Sequence, residues 1–215
     1  MISYQTLKAR QRAERDKYPE HLSLRVHRAL SWLNRAEQCQ DDDGRFIFLW
    51  IAFNAAYAKE TGEDRTPDGL LFSEFLAQLV KLDTANQLYS IVWDQYAGPI
   101  RLLLNNQFVF QPYWNFQNGH PDSENWEERF THAKIASNSA LSRQDTVKVL
   151  SIVFNRLYTL RNQLIHGGAT FGGKVNRQQV TDGARILSHI VPCIMTIMMD
   201  NAGYPWGEAC YPVKV

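Results

Sequence analysis

The chain has 215 residues, 45% of them hydrophobic, which is enough for one domain with a buried core and too apolar for a disordered chain. Its 23 Lys and Arg side chains against 22 Asp and Glu leave a formal charge of +1. That balance excludes a histone-like polycation and an acidic tail protein, but not a locally basic face.

In chain order the pattern reads as all-α. Pro19 to about Gln38 places Leu22, Val26, Ala29, Leu30 and Leu33 at helical spacing. Asp41-Asp42-Asp43-Gly44 is a turn whose carboxylates favour the start of the next helix. That helix, Arg45 to Glu60, carries Phe46, Leu49, Trp50, Phe53 and Tyr57 on one face. Thr61–Gly69, rich in Gly, Pro and Asp, reads as a loop. Helices are expected at Leu70–Lys81 and Thr84–Ala97, with a short one at Pro99–Leu104. Phe108–Asp122 reads as aromatic and irregular, and Gln107–Phe110 is the best, very short, strand candidate. Glu124–Ser137 is helical again. A strong helix runs from Arg143 to His166, where Gly167-Gly168 stops it. The last long helix spans 176–201 with a bend point at Pro192, followed by an irregular tail over 202–215. Four long helices (19–38, 45–60, 143–166, 176–201) thus suggest one domain, 1–215, built as an antiparallel bundle, with a helical insertion at about 61–142 between the second and third core helices.

Three widely spaced cysteines, Cys39, Cys193 and Cys210, form no CxxC pair, so neither a disulfide framework nor a zinc knuckle is supported. A reducing cytoplasm is the simplest compartment. Met1–Lys17 is polar and basic with no apolar run, so it does not read as a signal peptide. The apolar stretches 46–53 and 190–199 are too short or too interrupted to span a bilayer, and no membrane is expected.

Charge is unevenly partitioned. Residues 1–35 carry eight basic and three acidic side chains, 36–142 seven and fifteen, and 143–185 seven and two. Either these are ordinary solvated helix faces, or the two basic segments meet and form a surface for a polyanion.

Leu157–Gly168, LYTLRNQLIHGG, is the stretch most suited to chemistry. Arg161, Asn162 and His166 fall in the last turns of a helix, with Asn162 and His166 four apart on one face. Imidazole exchanges protons near neutral pH, and guanidinium matches phosphate oxygens. These are parts for metal-free RNA cleavage: a base takes the 2′-hydroxyl proton, that oxygen attacks phosphorus, and a cation stabilises the transition state. One His per chain is short of an acid and base pair, which a symmetric dimer would supply. The bare spacing is weak, and a surface Arg beside a C-capping His is its ordinary meaning.

With its flanks, LRNQLIHGG at Leu160–Gly168 resembles the Arg-x4-His signature of the HEPN superfamily of all-α bundles. FIFLWIAFNAAY at Phe46–Tyr57 resembles the aromatic second helix of stand-alone bacterial members, and NRQQVTDGARIL at Asn176–Leu187 is also similar. The resemblance implies a HEPN-type bundle and a metal-independent endoribonuclease of the toxin or phage-defence type. It implies a homodimer whose two motifs form one composite site, RNA as substrate, and an antitoxin or defence partner protein. Arg161 and His166 would be catalytic, with Asn162 supporting. A tyrosine found in some members two residues after the His is here Gly168, which tells against regulation by nucleotidyl transfer. The alternative is a non-catalytic RNA-binding or protein-interaction module of the same fold.

Asn54 on the aromatic stripe either bonds a neighbouring helix or orients the motif, and Asn155, two turns before Asn162, would extend the polar cluster. GATFGGKV at Gly168–Val175 nearly spells a phosphate loop, but Val175 stands where Ser or Thr is needed and no strand precedes it. Lys174 and Arg177 are candidates for RNA phosphates, or are solvated loop charge. Tyr113, Trp114 and Phe116 either stack on bases or tuck onto the domain. The acidic and His residues between His120 and His132 lack a ligand spacing, so no metal is expected, and no cofactor.

Overall fold

The computed structural model describes residues 2–58 and 68–211. Among them there is no strand, and ten α-helices pack together into an all-α bundle. They are α1 (Tyr4–Glu14), α2 (Glu20–Glu37), α3 (Asp42–Tyr57), α4 (Asp68–Leu82) and α5 (Gln87–Ser90, prolonged by a π-helical turn to Gln95). They continue with α6 (Ala97–Leu104), α7 (Gln111–Gln117), α8 (Trp126–Ser142), α9 (Thr146–Ile165) and α10 (Arg177–Asp200).

The four long helices expected from periodicity are α2, α3, α9 and α10. Their starts follow from capping rather than from the first apolar residue. Asp41 Oδ1 accepts from Gly44 N at 2.6 Å, so α3 begins before Arg45. Asp145 Oδ1 accepts from Lys148 N at 3.0 Å, so α9 begins at Thr146 and not Arg143. α10 continues unbroken through the buried Pro192. The expected loop at Thr61–Gly69 lies outside the described residues as far as position 67, and Asp68 and Gly69 already belong to α4.

Two expectations change, and one helix is added. Residues 4–14 form a helix, capped by Ser3, whose buried side is only Leu7 and Gln11. Gln107–Val109 is a 3-10 turn and not a strand. The aromatic stretch after it is largely α7, because Pro112 sits in the first turn, where its missing N–H costs nothing.

Pair contacts give the bundle its directions. Arg25 reaches Ala56 while Trp32 stacks on Phe48 at 5.7 Å, so α2 and α3 are antiparallel. Phe46 and Leu157 meet over Gly183, and Phe53 packs on Phe154 at 4.3 Å, so α9 runs against α3. Asp43 holds Arg177, placing the starts of α3 and α10 at one end. A Cβ at Gly183 would lie 2.9 Å from both Leu157 Cδ2 and Phe46 Cε2. That glycine therefore sets the close approach of three helices.

The helical segment between α3 and α9, expected as an insertion, packs into the common core. α4 lies along α9, and Phe72, Leu76 and Leu79 are fully buried in the same core as Trp50, Phe53 and Phe154. Trp50 is the hub, with Phe53, Phe72, Phe154 and Tyr158 all within 6.1 Å centroid to centroid. The tail is also built in. Buried Arg25 donates to the carbonyls of Ala56, Gly207 and Glu208, and Trp206 is buried with its Nε1 on Asn201 O. No described helix is long and apolar enough to cross a membrane.

Candidate functional site at the end of α9

α9 ends at the Gly-Gly pair as the sequence requires. Gly167 takes φ +72° and donates to Leu164 O, while Gly168 donates to Gln163 O at 2.8 Å. This double closure satisfies the last carbonyls and leaves His166 as the C-cap. The His166 side chain is exposed, and its ring makes no hydrogen bond among the described residues. Arg161 is half-buried one and a half turns earlier. Its Nη1 donates to Asn162 Oδ1 at 2.9 Å, its guanidinium lies 5.9 Å from the Tyr158 ring centre, and its buried Nε has no partner. Asn162 O accepts from His166 N at 3.0 Å. The three motif residues thus share one helix end, with the imidazole exposed and the guanidinium half-buried.

The surrounding structure is held by residues to which sequence reasoning gave no role, or a different one. Gln163 Nε2 donates to Phe108 O at 2.6 Å, and its Oε1 accepts from Asn176 Nδ2 at 2.8 Å. It thereby fixes the 3-10 turn before α7 and the start of α10 to the last turn of α9. Trp114 Nε1 shares the same Phe108 carbonyl at 2.7 Å. Asp43, 7% exposed, accepts from Arg177 Nη1 and Nη2 at 2.8 and 3.1 Å and from Gly172 N at 2.7 Å. Although burial opposes it, the Arg177 guanidinium and the Gly172 amide hold the Asp43 carboxyl below the usual range. Gln163 stands in plain view inside the motif, and only its facing distinguishes it. The Asp43–Arg177 pair spans most of the chain, and nothing local announces it.

The other sequence candidates are dispersed. Arg177 donates through Nε to Gly173 O and through both terminal nitrogens to Asp43, so each of its three nitrogens already has a partner. Lys174 is exposed on the loop between α9 and α10. Asn54 lines a separate cavity with Arg28, Ile51 and Cys210. It lies near the level of Phe154, seven residues and roughly 10 Å of helix before Arg161, so it does not orient the motif. Asn155 keeps the motif's face of α9, but its Nδ2 returns to Ser151 O and it does not touch Asn162. Tyr113 and Phe116 pack on Trp126 of α8 at 5.0 and 6.2 Å, so the aromatic segment tucks onto the domain. Among the described residues no group of three His, Cys, Asp or Glu side chains is placed to hold a metal ion.

The two basic segments do not close around the motif. Arg10 pairs with Asp200 at 2.7 Å, and Arg28 holds the carbonyls of Cys210 and Tyr211. The Arg10–Asp200 pair lies at the far end of α10, about 36 Å of helix from its start beside Gln163. The end of α9 and the loop after it also expose large apolar side chains: Ile165 is 47% exposed, Val175 66% and Phe171 79%. Compared with known proteins, the chain matches no family model, no curated protein and no solved structure.

Proposed function

We propose that the protein is a metal-independent endoribonuclease of the HEPN type, acting as a homodimer in a toxin or defence role. The observation that carries this reading is the end of α9, where Arg161 Nε and the His166 ring are both left without partners while their neighbours are bonded. His166 accepts the 2′-hydroxyl proton, and the freed oxygen attacks the adjacent phosphorus. The bond to the 5′-oxygen breaks, and that oxygen takes a proton from the same histidine of a second copy. Arg161 neutralises the charge gathering on the phosphoryl oxygens, held against Asn162 so that little reorganisation is needed. The products are a 2′,3′-cyclic phosphate and a 5′-hydroxyl. Ile165, Phe171 and Val175 supply an apolar rim on which a second copy seats.

The test is cleavage of single-stranded RNA in excess EDTA. Wild type should cut, the all-deoxy strand should resist, and His166→Ala and Arg161→Ala should each lose at least about 100-fold in rate. Cleavage that dies with EDTA, or that survives both substitutions, refutes the reading. Salt-sensitive RNA binding without product assigns the non-catalytic alternative instead.

A further inference from the structure

Five residues before Arg161, α9 carries a second arginine of very different setting. Arg156 is only 4% exposed, and no carboxylate is within ion-pair reach of it among the described residues. Its guanidinium carbon lies 4.4 Å from the ring centre of Phe110 and 5.9 Å from that of Phe130, and its Nε is buried without a hydrogen bond. Aromatic faces recover part of the lost hydration of a cation but satisfy none of its N–H groups. A buried donor left open in this way calls for a partner.

The space for one is present. Arg156 lines a cavity of about 450 Å³ between α9, α8 and the start of α7, with Phe110, Pro112, Ile152, Asn155 and Thr159 around it. The walls are mainly apolar, with the amides of Gln111 and Asn155 and the hydroxyls of Tyr158 and Thr159 among them. A cavity of that size with one buried cation suits a ligand with an anionic end and a planar body. Guanidinium matches phosphate oxygens in two-point contact, and the Phe110 and Pro112 faces suit a nucleobase. We propose that this cavity binds one nucleoside monophosphate unit, with its phosphate on Arg156 and its base against Phe110 and Pro112. The unit is either a free nucleotide or one residue of a strand lying along α9. The site does not depend on cleavage at His166.

The experiment is calorimetric titration of the whole protein with AMP, adenosine, inorganic phosphate and an all-deoxy pentanucleotide, which cannot be cleaved at a 2′-oxygen. Saturable binding of AMP assigns a free nucleotide, and binding of the pentamer alone assigns a strand; both support the site. Adenosine and inorganic phosphate should each bind at least about tenfold more weakly than the supporting ligand. Arg156→Met should abolish binding by at least about tenfold without lowering Tm, because it removes an uncompensated buried charge. Asn155→Asp, at the exposed rim, gives the guanidinium a competing carboxylate and should weaken binding in the same direction; it decides the matter if Arg156→Met fails to fold. His166→Ala should bind as wild type does, so failure of the cleavage reading leaves this result unaffected. No saturable binding of AMP or pentamer, equal binding by the folded Arg156 and Asn155 variants, or phosphate binding as tight as AMP overturns the proposal.

Discussion

Asp43→Asn tests how the loop behind the motif is fastened. The carboxylate accepts three hydrogen bonds, two from Arg177 at 2.8 and 3.1 Å and one from Gly172 N at 2.7 Å. Asn keeps one acceptor oxygen and loses the charge. Hydrogen bonds to charged groups contribute roughly 1.5–3 kcal/mol each when isolated. Here the Arg177 side chain is a third exposed, so its share is discounted for solvent. A net loss of about 2 kcal/mol follows, or a fall in Tm of about 4–8 °C for a chain of this length. The sign with pH is fixed by the depressed Asp43 carboxyl. Its contribution is present in full above the unfolded carboxyl range and is lost as pH falls through the lower folded value. Urea unfolding of wild type and variant should therefore show a full gap at pH 7 that closes below about pH 4. Equal stability at pH 7, or a gap that widens on acidification, refutes the clamp.

Gly183→Val should cost at least about 2 kcal/mol in the same unfolding assay, because the branched side chain collides with Leu157 and Phe46, already 2.9 Å from a bare Cβ. Gly167→Ala, at φ +72°, should lower stability by about 1 kcal/mol, readable as a Tm shift. Phe171→Asp with Val175→Asp, both exposed in the single chain, should leave Tm unchanged but convert dimer to monomer in sedimentation. A dimer that persists removes the apolar rim from the argument. Burial pushes the Cys193 thiol up to about 12, so it should resist thiol reagents in the native protein and react only on unfolding, as followed by mass spectrometry.

The bundle was legible wherever apolar residues recur at helical spacing. Leu22, Val26, Ala29, Leu30 and Leu33 are all buried, as are Phe46, Leu49, Trp50 and Phe53. α1 escaped because it buries only Leu7 and Gln11, too little for periodicity to register. α7 escaped because Pro112 reads as a breaker unless its place in the first turn is known. How closely α4 packs was not legible, because its pattern of Phe72, Leu76 and Leu79 announces burial but not the helix it is buried against. Arg156 is the extreme case. Its burial depends on Phe110 and Phe130, brought over it by α7 and α8, and local sequence gives arginine no reason to be inside.

The same distinction bears on whether the end of α9 is a site or a cap. A capping cluster would spend its polar groups on the backbone carbonyls and on neighbouring loops. Those tasks are done here by others. Gly167 and Gly168 close the helix, Gln163 holds Phe108 and Asn176, and Asp43 with Arg177 holds Gly172 and Gly173. Among the described residues, removing the Arg161 or His166 side chain would break no hydrogen bond or ring contact but the Arg161–Asn162 bond and the contact with Tyr158. Their truncation should therefore leave unfolding free energy within about 1 kcal/mol of wild type while removing activity, since substitutions away from structural contacts cost little. Large destabilisation by His166→Ala would show instead that the imidazole belongs to the scaffold, and the cleavage reading would lose its base.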